Sequence, residues 1–202
     1  MNRKVIVLID LDDTMTHLCR AWCRWLNAIY GTNVSENDIT GWKISDYFPT
    51  LTEDQVFRPL HTDSFWREVE PMVDAPKYIK KLMDEGFEVY ICTASLFDTI
   101  KSKFEHVLGR YFPFISWNQV IVTKNKQLVN GDILIDDGVH NLEGGRYKKV
   151  LMSAPHNRDY DAESHGMTRV KSWEEAYNAT HMYASEILRE DRTNESNQEK
   201  RG

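Results

Sequence analysis

Residues 5–9, VIVLI, are apolar without a break, and the run ends in acid: Asp10, Asp12 and Asp13 follow within four positions, then Thr14 and Thr16. An apolar run of this length and β-branched character predicts a strand buried on both faces, as in a parallel sheet. The period then changes. Leu18, Ala21, Trp22, Trp25, Leu26 and Ile29 recur at three-and-four spacing, which predicts a helix over 17–30. Gly31 suits its end. Residues 32–74 follow no strong period. They hold Trp42, Tyr47, Phe48, Phe57, Phe65 and Trp66, broken by Pro49, Pro59 and Pro71, with a helix start at Thr52-Glu53-Asp54. A small helical insert is predicted there. Alternation returns with a helix over 75–85, a strand at 87–92 (FEVYIC), a helix over 97–108 and a short strand at 120–123. A buried strand at 133–135, a turn or short helix at 142–146, a strand at 150–153 and a closing helix over 173–188 complete the pattern. From 189 the chain is charged and nearly free of apolar residues, which predicts disorder.

Strands alternating with helices predict an α/β fold, a doubly wound parallel sheet with a small helical cap inserted after the first strand. The expected boundaries are 1–17 and 74–188 for the core, 18–73 for the cap and 189–202 for the tail. The 202 residues, 41% of them hydrophobic, suffice for this plan. A net charge of −6 argues against a nucleic-acid polymer as partner, since a phosphate backbone needs a broad basic face. It leaves room for one small phosphorylated ligand. Three cysteines fit a reducing compartment, and Cys19 and Cys23 read as helix packing. No signal-peptide pattern opens the chain, and no apolar run approaches the ~20 residues that span a bilayer. A cytoplasmic protein without membrane contact is expected.

The acids change the picture most. Carboxylates at a strand end can cap the next helix. They can also bind a divalent cation at the carboxyl edge of the sheet, where open α/β folds keep their sites. Right-handed crossovers bring the carboxyl ends of the strands to one edge. Four polar clusters would meet there: Asp10, Asp12, Asp13 and Thr14; Thr93 and Ser95; Lys124 and Lys126; Asp136 and Asp137. Asp132 precedes its strand and falls at the opposite edge. His17, His140 and His156 read as loop or packing residues.

D-L-D-D-T, C-T-A-S, a lysine and I-D-D, in that order, resemble the motifs of the haloacid dehalogenase-like phosphatases. VIVTKNKQLVNGDILIDD, LMSAPHN and the stretch from Glu70-Pro71 to YICTAS are similar to the 5′(3′)-deoxyribonucleotidases of that superfamily. The similarity covers most of 5–157. It implies Asp10 as nucleophile, Asp12 as acid and base, and Lys126 as the charge-neutralising lysine. It implies Mg²⁺ held by Asp10, the Asp12 carbonyl and the Asp136/Asp137 pair, with Asp137 favoured as the direct ligand. Thr93, Ala94, Ser95 and Lys124 would hold phosphate, together with N–H groups at the start of the following helix. Leu18, Trp42, Lys43 and Trp66 would surround a nucleobase, since aromatic faces suit bases. The implied reaction is hydrolysis of a (deoxy)nucleoside monophosphate to nucleoside and phosphate. The alternative is a phosphatase or phosphotransferase acting on another small metabolite. Asp13-Thr14 stand where those nucleotidases usually carry Gly-Val. Sheets of this kind often pair, so a homodimer is expected by analogy.

Overall fold

The computed structural model describes residues 3–199. Six strands form one sheet: β1 (Ile6–Ile9), β2 (Glu88–Thr93), β3 (Val120–Val122), β4 (Ile133–Asp136), β5 (Lys148–Met152) and β6 (Met167–Val170). Their order is β3-β2-β1-β4-β5-β6, and every pairing is parallel. β1 lies between two strands, with Ile9 opposite Ile91 on one side and Ile135 on the other. This explains why residues 5–9 carry no polar face. Val7, Ile9, Ile91 and Ile135 point into the larger apolar cluster, whereas Leu8, Cys92, Leu134 and Leu151 point into a smaller one on the other face.

The insert begins with α1 (Leu18–Tyr30), which buries Leu18, Ala21, Trp22, Cys23 and Leu26. Gly31 closes it in the left-handed region, φ 68°, its N–H donating to the Asn27 carbonyl. Short helical turns follow, among them α2 (Glu53–Phe57) and α3 (Asp63–Trp66). α2 starts as its sequence suggests: Thr52 and Gln55 cap one another reciprocally. Phe48, Val56, Phe65 and Trp66 fill the interior of this cap. An antiparallel bridge between Thr16 and Pro71 closes its base, where the chain leaves the core and returns.

Beyond the cap, α4 (Ala75–Asp84) packs on the larger cluster. After β2 comes a helical stretch of α5 (Ile100–Lys103), a π-helical segment Phe104–Leu108 and α6 (Gly109–Tyr111). It starts three residues later than expected, because Thr99 N–H turns back onto the Leu96 carbonyl. α7 (Val139–Leu142) follows β4, and α8 (Trp173–Glu199) closes the fold. Two expectations need correction. The strand β6 is absent from the sequence reading, since MTRV alternates weakly and pairs on one side only. The tail expected to be disordered from 189 is helical through Glu199, and Arg3 bonds Asp191 there. The last three residues of that expected tail lie outside the described residues. No helix among the described residues is long and apolar enough to cross a membrane.

Candidate active site

Asp10 leaves the end of β1, its backbone N–H still donating to the Ile135 carbonyl at 2.9 Å. Its side chain meets Lys126, which rises from the turn after β3 and is 1% exposed. The same ammonium donates to Asp136 Oδ2 at 2.6 Å. Asp136 Oδ1 accepts from Gly138 N–H at 2.8 Å and Asn141 Nδ2 at 3.0 Å. A Cβ at Gly138 would lie 2.8 Å from Asn141 Nδ2 and 3.1 Å from Asp136 Oδ1, so a side chain there would crowd this arrangement. Burial pushes the Asp10 carboxyl well above its ordinary pKa; Lys126 opposes this, and Asp136, Asp137 and Asp12 add to it. Burial disfavours the Lys126 charge, but Asp10 and then Asp136 outweigh it and hold the ammonium protonated above the ordinary lysine range.

Asp137, next in sequence and just beyond β4, has different partners. Thr14 Oγ1 donates to its Oδ1 at 2.9 Å, and His156 Nε2 lies 2.8 Å from its Oδ2. Asn157 Nδ2 holds its carbonyl at 2.8 Å. Asp10, Asp136 and Asp137 each place a carboxylate oxygen within 4.8 Å of the others. Five acids, Asp10, Asp12, Asp13, Asp136 and Asp137, gather around two buried lysines, Lys126 and Lys103. An oxygen-only donor set with surplus negative charge fits a hard divalent cation.

The three acids after β1 have separate tasks. Asp13, at φ 54°, caps α1: its carboxylate accepts from Cys19 N–H at 2.9 and 3.2 Å. The capping role open to the whole cluster thus falls to this residue. Asp12 Oδ2 pairs with Lys103 from α5, while its Oδ1 is buried with no partner. Lys103 escaped the sequence reading. Its signal was its place between Thr99 and Val107 on the buried stripe of the helix, where a lysine needs an acid.

A cavity of about 580 Å³ opens above these groups and runs under the cap. Asp10, Asp12, Asp137 and Lys126 reach its floor. Leu18, Trp42, Lys43, Ala94 and Lys124 line its walls, as the sequence suggested. Trp42 is 61% exposed and stands edge-on to His140 at 4.3 Å and His156 at 5.3 Å between ring centroids. Lys43 leans towards Glu53, 3.1 Å away. Trp66 is a correction: it is buried in the cap, its indole N–H bonded to the Leu60 carbonyl at 2.8 Å, and it forms no part of the cavity wall. The expectation overvalued its aromatic face and undervalued the cap's need for an interior. Thr93 is buried at the strand end, and Ser95 bonds Thr99 at 3.0 Å. The helix start expected beside them is displaced to Ile100 by the irregular segment 94–99.

A parallel sheet with acids at the ends of β1 and β4, a buried lysine between them and a cap inserted after β1 defines a haloacid dehalogenase-like hydrolase. A HAD family hydrolase of Deinococcus radiodurans R1, solved with bound phosphate and sodium, shares this fold. Its TM-score is 0.62 at 15% identity, over 91% of this chain and 98% of that one. A haloacid dehalogenase-like protein of Agrobacterium tumefaciens gives 0.60 at 13% identity, over 90% and 100%. Sequence comparison goes further. Residues 3–186 match the family described as 5′ nucleotidase, deoxy (pyrimidine), cytosolic type C protein. The 5′(3′)-deoxyribonucleotidase of Bacillus subtilis is 36% identical over 174 residues, 85% of this chain and 96% of the relative. That of Clostridium acetobutylicum is 33% identical over 168 residues, 83% and 90%. The chain belongs to this nucleotidase family and is a hydrolase of phosphoric monoesters.

Proposed function

We propose that this protein is a Mg²⁺-dependent phosphatase that hydrolyses deoxynucleoside monophosphates to nucleoside and phosphate through an aspartyl-phosphate on Asp10. The observation that carries the reading is the floor of the cavity. There a buried lysine braces Asp10, and Asp12 keeps one oxygen without a partner. The names of the relatives supply the substrate class.

In the first step an Asp10 carboxylate oxygen attacks phosphorus and the bond to the nucleoside oxygen breaks. Asp12 gives that oxygen its proton. In the second step Asp12 takes a proton from water, the water oxygen attacks phosphorus, and Asp10 leaves as carboxylate. Lys126 offsets the charge that gathers on the phosphoryl oxygens. Asp10, Asp137 and the Asp12 carbonyl would hold Mg²⁺, with Asp136 committed to Lys126; the bound ion supplies positive charge where two anions must meet. Trp42 offers an aromatic face to a base, Leu18 an apolar floor beneath it, and Lys43 a donor at the rim. Lys124 and the Ala94 backbone border the phosphate end.

The test is a substrate panel at fixed Mg²⁺, comparing 5′- and 3′-deoxynucleotides with sugar phosphates, alongside Asp10→Asn. Nucleotide hydrolysis that vanishes in the folded variant is the expected result. Activity confined to sugar phosphates would overturn the substrate class, and unchanged turnover in Asp10→Asn would overturn the nucleophile.

A further inference from the structure

We propose that Lys103 is a positioning residue: it fixes the Asp12 carboxylate by holding one of its two oxygens. The inference rests on the reading of Asp12 as the proton carrier and adds a residue that acts through it.

The two oxygens of Asp12 are not equivalent. Oδ2 is paired with Lys103 Nζ, whereas Oδ1 is buried and has no partner. Lys103 therefore anchors the carboxylate through Oδ2 and sets the orientation of the whole group.

The anchor is rigid because Lys103 is itself held on several sides. Nζ also donates to the Ala94 carbonyl at 3.2 Å, and it lies 5.1 Å from the centroid of the Trp66 ring. A lysine ammonium has three N–H donors and no acceptor. Asp12, a carbonyl and an aromatic face account for them, the last as a cation–π contact. Lys103 is 3% exposed, so water does not compete for these bonds. Three parts of the molecule meet at this one atom: the acid turn after β1, the segment after β2, and the interior of the cap. The burial of Trp66, which removes it from the cavity wall, gives it this second task. A proton carrier has to sit within hydrogen-bond reach of the moving proton, and small misplacements are costly. A carboxylate tied at one oxygen is held in one orientation.

A role confined to the fold would look different. Replacing one partner of a buried ion pair destabilises without regard to substrate. A positioning role depends on the leaving group. A nucleoside alkoxide needs a proton as it departs, and p-nitrophenolate does not. The experiment compares wild-type protein, Lys103→Met and Lys103→Arg on a deoxynucleoside monophosphate and on p-nitrophenyl phosphate, with rapid mixing to resolve the first turnover. Lys103→Met should lower kcat on the nucleotide by about 100-fold or more, the scale of lost acid–base catalysis. KM should change little. On p-nitrophenyl phosphate the same variant should release a fast burst of p-nitrophenolate and then turn over slowly, because water activation also depends on Asp12. Lys103→Arg should recover part of the nucleotide rate. An equal loss in the burst and in nucleotide turnover would overturn the proposal, as would a raised KM at constant kcat, which would make Lys103 a phosphate ligand. Absence of turnover in the wild-type protein on both substrates would overturn the reaction itself, and this role with it.

Discussion

Thr14 shows how a residue that looks like a motif letter acts through one hydroxyl. It has no exposed surface, and its Oγ1 donates to Asp137 while its carbonyl accepts from the Trp173 indole at 3.0 Å. Thr14→Val keeps the shape and removes the donor from a buried carboxylate. The expected loss is about 1–3 kcal/mol in chemical denaturation, together with a higher Mg²⁺ concentration for half-maximal activity. The spacing of Asp10, Asp12 and Thr14 was legible because a strand end and a turn fix it locally. Lys103 was not legible, because its partner stands 91 residues away and only the fold brings them together. His156, read as a packing residue, proves to face Asp137 for the same reason.

At the scale of elements, the seam between cap and core depends on α3 and α5. Asp63, opening α3, bonds Ser102 at 2.9 Å and His106 at 2.8 Å, and reaches Arg67 at 2.9 Å. His61 meets Asp98 at 2.6 Å nearby. The bond from His106, then that from Ser102, hold the Asp63 carboxyl down at about 2, against an ordinary value of 3.8. A lowered folded pKa means stability that is present above the ordinary value and lost as pH falls through the folded one. Asp63→Asn should therefore be less stable than the wild-type protein near neutrality, and the gap should shrink between about pH 4 and pH 2. Parallel denaturation curves across that range would show it; a constant gap would mean Asp63 acts only through shape. α2 was readable because Thr52, Glu53 and Asp54 follow one another in sequence. The seam was not, since its pairs join residues about 40 positions apart.

For the molecule as a whole, the order of motifs was the most readable feature. Parallel strands with one hand of crossover carry every strand end to a common edge, so scattered acids and lysines had one place to meet. What could not be read was depth: which aromatic residues fill the cap and which face the cavity. The gathered acids repel one another once folded, and a bound cation relieves that repulsion. Adding Mg²⁺ to metal-free protein should raise the thermal midpoint, by an amount worth about 2.7 kcal/mol at a hundredfold excess over Kd. Asp137→Asn should lose most of that rise, as read by calorimetry. A midpoint indifferent to Mg²⁺ would remove the metal from the proposed reaction.

The exposed position of Trp42 has a practical consequence. Of the six tryptophans, Trp22, Trp66 and Trp173 are buried, Trp25 is half-buried away from the cavity, and Trp117 is exposed beside Phe104. Trp42 alone among them both borders solvent and touches the cavity, with two imidazoles against its ring. Its indole is therefore a fluorophore built into the gap between cap and core. The difference in emission between the native chain and Trp42→Phe isolates the light that comes from that gap, and with it a label-free view of the cap at work.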